Sequence, residues 1–228
     1  MWILAIGMVP SFLLIWYIYR LDKIEKEPFG LIVKLFVFGG LSTISATILE
    51  LLFSSILGNF LYSGTILYQI ISNFLIIALV EEGGKRFVLR KVTWKNPNFN
   101  YRFDAVVYAV TVSLGFAAFE NVLYIISYGD SIAPIRAITS IPLHCIAGVF
   151  MGHYYGQAKY MHDLGRESMR KYFMALAIII PVLIHGFYDF CATYDNAELS
   201  VVFLIYIVAL DIFAYRSVKK FSRQDIEI

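Results

Sequence analysis

The sequence predicts an all-α, polytopic membrane bundle of about seven transmembrane helices, and three observations carry that prediction. Hydrophobic residues make up 59% of the 228, where soluble domains have roughly 45–50%. Charged residues are 16%, against about 25% usually, and the mean hydropathy is +0.70. The apolar residues gather into runs of about twenty, the length that crosses ~30 Å of hydrocarbon. A barrel would need alternation over about ten residues per strand, and these runs are apolar throughout. The net charge of +2 is too small to suggest nucleic-acid binding.

The segments run approximately Trp2–Tyr19, Leu31–Phe53, Ile66–Phe87, Ala105–Ile126, Ile135–Gly156, Tyr172–Tyr194 and Leu199–Arg216. Met1–Tyr19 resembles a signal peptide only in part. No basic residue precedes it and no small-x-small site follows it, so it reads as an uncleaved first span. The third segment is the least regular, because charges begin at Glu81.

Lys and Arg orient the bundle. Arg20, Lys23 and Lys26 lie in the first loop, and Lys85 through Arg102 supply six basic residues to the third. Lys159–Lys171 and Arg216–Arg223 hold the rest. The alternate loops, around Ser54–Thr65, Ser127–Ala133 and Asp195–Glu198, contain neither type. Basic loops stay inside, so the expected N-terminus is outside and the C-terminus cytoplasmic. Lys34 and Arg136 fall outside the pattern, at span ends where they can snorkel. Short loops and the lack of a repeat or linker give one domain, 1–228. Cys145 and Cys191 sit in apolar runs without metal-ligand spacing and read as buried free thiols.

Ionisable residues inside spans are expensive and usually face the bundle interior. Glu81 and Glu82 are adjacent carboxylates, which suits one of them to general acid–base work; Lys85, one turn on, can pair with them. The bland alternative is a solvated helix end. Glu120 lies deep in the fourth span, with Tyr108, Gly115 and Asn121 as polar or small packing positions. His144 has Gly148 one turn on, where another helix can approach. His185 has Asp189 at i+4, placed to hold its tautomer and orientation. His153, His162 and Asp211 read as non-catalytic, and Glu50 has no assigned role. No HExxH, GxSxG or P-loop motif occurs, and Ser113 has no context for a Ser/His dyad. What remains is a carboxylate activating water, with histidines binding a metal or stabilising an oxyanion. Rival readings are an ion-coupled transporter, since buried Glu and His also mark proton paths, and a non-catalytic membrane scaffold.

Five blocks in order, YRLDKIEKEPFGLIVKLFVFGG, EEGGK, Asp104 through SLGFAAFENVLY, His144 through GVFMG, and HGFYDF, resemble the PrsW family of bacterial membrane proteases. That family is related to the CAAX prenyl protease superfamily. The resemblance implies a multi-pass protease of the bacterial cytoplasmic membrane that makes the first cut in a single-pass anti-sigma factor. It makes Glu81, Glu82 and His185 the leading catalytic candidates, with Glu120 and His144 beside them and Lys85, Asn121 and Asp189 in support. It leaves two cofactor readings open: zinc held among His144, His185, Glu82 and Glu120, or a metal-free glutamate mechanism. Depth counting places Glu120, His144 and His185 between mid-membrane and the outer half, and Glu81 and Glu82 nearer the inner side; a tilted or shifted third helix would bring them together, with Lys85 and Arg86 snorkelling inward from a deeper position.

Overall fold

The structure, a computed structural model, describes residues 2–194 and 197–228, with side chains described for all of these except 2–6 and 130. Of the predicted loop Asp195–Glu198, Asp195 and Asn196 lie outside the described residues, as does Met1. Nine α-helices account for the described elements, with a π-helical and a 3₁₀ stretch between them and one isolated β-bridge, Tyr101 to Glu227. They are α1 Trp2–Leu21, α2 Phe29–Gly58, α3 Ile66–Ile70, α4 Leu79–Thr93, α5 Asp104–Tyr128, α6 Ala133–Ile138, α7 Ser140–Asp163, α8 Glu167–Thr193 and α9 Ala197–Arg223.

Six helical stretches are long and apolar enough to cross a membrane: 29–58, 66–93, 104–128, 133–163, 167–193 and 197–223. The apolar part of α1, Gly7–Leu21, is shorter. The predicted segments therefore all recur as helices, with two differences of shape. The third does not end near Phe87. It begins as α3, passes through the π-helix Ile71–Ala78, and continues as α4 to Thr93. The fifth is broken at Thr139, so the short α6 precedes α7.

The central post is α5, buried along most of its length from Asp104 to Ala118. It packs on α1, α2, α4 and α7, and α7 in turn packs on α8. Small residues make this closeness possible. A Cβ on Gly115 would lie 2.2 Å from the Phe36 carbonyl oxygen on α2, and one on Gly148 would lie 2.9 Å from Val110 Cα on α5. Close backbone approach of this kind is how helices gain dispersion contact where lipid removes the hydrophobic drive. By contrast, α9 leaves Leu204, Ile205 and Val208 exposed, an apolar face suited to acyl chains.

The basic loops share one end of the bundle. Asn100 Nδ2 donates to Glu25 at 2.9 Å, Phe103 N donates to Asp225 at 2.8 Å, and Ile228 N donates to the Asn100 carbonyl at 2.7 Å. These contacts tie the first loop, the α4–α5 loop and the C-terminal tail together.

Candidate active site

Four helices each contribute to one buried cluster: α4 brings Glu81, Glu82 and Lys85, α5 brings Glu120, α7 brings His144, and α8 brings His185 and Asp189. Glu82 and Lys85 have no exposed surface, and Glu81, His144 and His185 are 4% exposed or less. Ligand atoms of Glu81, Glu82, His144 and His185 all lie within 4.8 Å of one another.

Lys85 is the hub. Its ammonium donates to Glu81 Oε2 at 3.1 Å, Glu82 Oε1 at 2.7 Å and His144 Nδ1 at 2.9 Å, using all three protons. Lys85 pairs with Glu81, as its position one turn on predicts, and with Glu82, so its ammonium is held inside the bundle. An ammonium only donates, so His144 Nδ1 accepts and the ring proton sits on Nε2, facing Glu120 Oε2 at 3.0 Å. His185 lies between two acids, with Nδ1 2.9 Å from Glu82 Oε1 and Nε2 3.2 Å from Asp189 Oδ2. Carboxylates only accept, so this geometry suits the imidazolium form. The two imidazoles meet edge to face, with centroids 5.0 Å apart.

The sequence expectation that Glu81 and Glu82 lie toward the inner end is corrected here. Because the third span runs on to Thr93, the pair falls in its middle, and the π-helix above re-aims it. A π stretch widens the turn and changes the phase of everything after it, which is why such stretches recur at functional sites. Asn73 in that stretch is tied to Thr193 at the end of α8, its Nδ2 donating to Oγ1 at 3.1 Å.

Asn121 is not at the cluster. Its Oδ1 accepts from Arg136 Nε at 2.9 Å, and Arg136 pairs with Glu120 Oε2 at 2.9 Å. It acts on the acids through Arg136, which also covers the Tyr124 ring at 3.7 Å. Sequence reading missed Arg136, because a basic residue at a span end looks like a snorkelling one. It also left Glu50 without a place; Glu50 lines the cavity described next, and its Oε1 is buried without a hydrogen-bond partner. His153 stacks on Phe221 and His162 lies over Trp94, both away from the cluster. Cys145 and Cys191 are buried and free.

A cavity of about 500 Å³ opens onto the cluster, bounded by Glu50, Glu81, Glu120, His144, His185 and Asp189. It also reaches Ser54, Ser127 and Thr193, at the ends of α2, α5 and α8 that adjoin the loops without Lys or Arg. Glu82 does not line it. Four acids and two imidazoles facing one pocket can move a proton and stabilise a developing oxyanion.

The chain matches the profile of the "PrsW family intramembrane metalloprotease" over residues 27–215. Protease PrsW of Oceanobacillus iheyensis is 34% identical over 224 residues, 98% of each chain. Protease PrsW of Bacillus subtilis is 30% identical over 84% of this chain and 83% of its own. That of Clostridioides difficile is 29% identical over 90% and 85%. No solved structure matches the chain. The family description asks for metal donors, and the set here fits: imidazole and carboxylate are zinc ligands, and Glu82 Oε2 is buried with no hydrogen-bond partner. Lys85 competes for the same donors, so an ion among them has to displace its ammonium. A helical bundle with apolar spans, a buried Glu/His cluster opening on a cavity, and relatives matching along nearly the whole chain lead to one conclusion: this chain belongs to the PrsW family of intramembrane proteases and is a multi-pass bacterial membrane peptidase.

Proposed function

We propose that the chain, as one protease domain, makes the first (site-1) cut in a single-pass anti-sigma factor, with Glu81 activating the attacking water. The observation that carries the reading is the asymmetry of the glutamate pair. Glu81 borders the cavity with both histidines, whereas Glu82 lies behind it, holding Lys85 and His185.

In this scheme Glu81 takes a proton from water as the oxygen attacks the scissile carbonyl. His185, held at Nδ1 by Glu82, turns its Nε2–H from Asp189, 3.2 Å away, toward the oxyanion, and His144 Nε2–H is steadied by Glu120. The proton held by Glu81 then passes to the leaving amide nitrogen as the C–N bond breaks. Glu82, His144 and His185, three of the residues whose ligand atoms converge, would hold a zinc-class ion, which when bound polarises the carbonyl and acidifies water; Glu120, a candidate from the sequence, lies outside that group.

The cavity's reach toward the loops that lack Lys and Arg supports a cut on the outer side of the cytoplasmic membrane, with the C-terminus inside. The anti-sigma factor as substrate rests on the family resemblance. The test is cleavage of a purified single-pass substrate after co-reconstitution in liposomes, with and without chelator. Glu82→Gln and His185→Ala each abolish cleavage at unchanged protein level; full cleavage by both variants sinks the assignment. Loss of cleavage in chelator, restored by Zn²⁺, selects the metal reading.

A further inference from the structure

A second set of buried acids lies at the other end of α5. Asp22 and Glu27 come from the first loop and Asp104 from the start of α5, and their side chains are 2%, 4% and 1% exposed. One carboxylate oxygen from each lies within 4.8 Å of the others. Asp104 and Glu120 are sixteen residues apart on one helix, about 24 Å at ~1.5 Å per residue, so this set is separate from the protease cavity.

Its partners are few: Glu27 and Asp104 are hydrogen-bonded to each other, and Asp22 accepts from the Ile24 N–H. Glu27 Oε2 accepts from Tyr108 Oη at 2.5 Å, and Asp104 Oδ2 accepts from the backbone N–H groups of Asn100 and Tyr101 at 3.0 and 2.7 Å. Asp22 Oδ2 and Asp104 Oδ1 are buried with no hydrogen-bond partner. Among the described residues no Lys, Arg or His pairs with any of the three. Lys26, the nearby cation, is turned to the backbone carbonyls of Tyr19 and Asp22 instead. Asp225, bound to Phe103 N, adds a further acid close by. Burial pushes Asp22 up to about 6, and pushes Glu27 up to about 7 although the Tyr108 hydroxyl pulls the other way. Buried carboxylates with orphaned oxygens are costly unless a countercharge meets them.

We infer that Asp22, Glu27 and Asp104 bind a hard divalent cation of the Mg²⁺/Ca²⁺ class, which ties the first loop to the start of α5. The donor set is all oxygen, with no thiol or imidazole, and that composition selects such ions over zinc or copper. The two orphaned oxygens, on residues brought together from separate segments, are the atoms it satisfies. Asp22 and Glu27 belong to the first-loop pattern YRLDKIEKEP, which has no part in the cavity. The inference does not depend on the catalytic roles proposed above.

The test uses Mn²⁺ as probe, with binding followed by electron paramagnetic resonance on the purified full chain in detergent. To remove any contribution from the protease cluster, the parent protein carries Glu82→Gln and His185→Ala. The expected result is one Mn²⁺ per chain, displaced by Mg²⁺ or Ca²⁺ and accompanied by a higher melting temperature. Adding Asp22→Asn or, separately, Asp104→Asn weakens Mn²⁺ binding at least tenfold and removes the melting shift. Absence of stoichiometric binding to the parent overturns the inference without recourse to any variant at the site. So does binding that neither substitution alters. If both substitutions raise the melting temperature without added cation and the parent binds no Mn²⁺, the three acids share protons only, and the site is not a cation site.

Discussion

The two buried acid clusters at opposite ends of α5 solve one electrostatic problem in different ways. At the cavity end, Glu81 and Glu82 meet Lys85, Glu120 meets Arg136, and His185 lies between Glu82 and Asp189. Every acid named there has a basic side chain from the chain itself. At the loop end, Asp22, Glu27 and Asp104 have a hydroxyl, backbone N–H groups and one another as partners and, among the described residues, no basic side chain paired with them. A cluster that supplies its own cations can be rearranged by substrate, because each of these acids keeps a basic neighbour. A cluster without countercharge instead makes the local fold depend on something outside the chain.

The largest effect tests the cavity end. Lys85→Met leaves two glutamates buried without their cation, which costs about 3–5 kcal/mol and removes cleavage. Thermal unfolding in detergent measures the loss. Adding Glu82→Gln to Lys85→Met should recover most of the stability and none of the activity. A Lys85→Met protein as stable as wild type breaks the comparison.

Packing between the clusters comes next. Gly115→Ala drives a methyl against the Phe36 carbonyl, 2.2 Å away, and should destabilise by about 1–3 kcal/mol. Arg136→Gln frees Glu120 from an ion pair whose side chains are 13% and 17% exposed. So little exposed, the pair lies between the surface and the buried case and contributes about 1–3 kcal/mol, so cleavage should fall several-fold and the melting temperature should drop measurably. A loss as deep as that of His185→Ala would move Arg136 into the chemistry itself. The smallest effect is Gly83→Ala. Nothing lies within 4 Å of the added Cβ, and removing a mid-helix glycine should add roughly 0.5–1 kcal/mol in the same melting assay.

How far the sequence reveals all this differs between the two ends. The helices are legible because lipid imposes one requirement, apolar length, on every span. Glu81, Glu82, Glu120, His144 and His185 stand out for the same reason, since hydrocarbon makes each of them costly. Their convergence is not legible. It depends on the π-helix Ile71–Ala78 and on the run of α4 to Thr93, and neither leaves a periodic signal. Arg136 is hidden because it lies in α6, ahead of the break at Thr139, in a stretch that looks in sequence like the entry to a span. Asp22 and Glu27 are invisible as buried residues. They lie in a charged loop that reads as solvated, and it is folding that brings α5, through Tyr108, and the α4–α5 loop and tail against that loop.

The account turns on Glu81 facing the cavity while Glu82 holds the scaffold. The most direct measurement is single-turnover cleavage of a reconstituted single-pass substrate by Glu81→Gln and Glu82→Gln, each with its melting temperature. Glu81→Gln should cut about 10²–10⁴-fold more slowly than wild type and melt at or above the wild-type temperature, while Glu82→Gln loses both activity and stability. Wild-type rates from Glu81→Gln would contradict the assignment of the base.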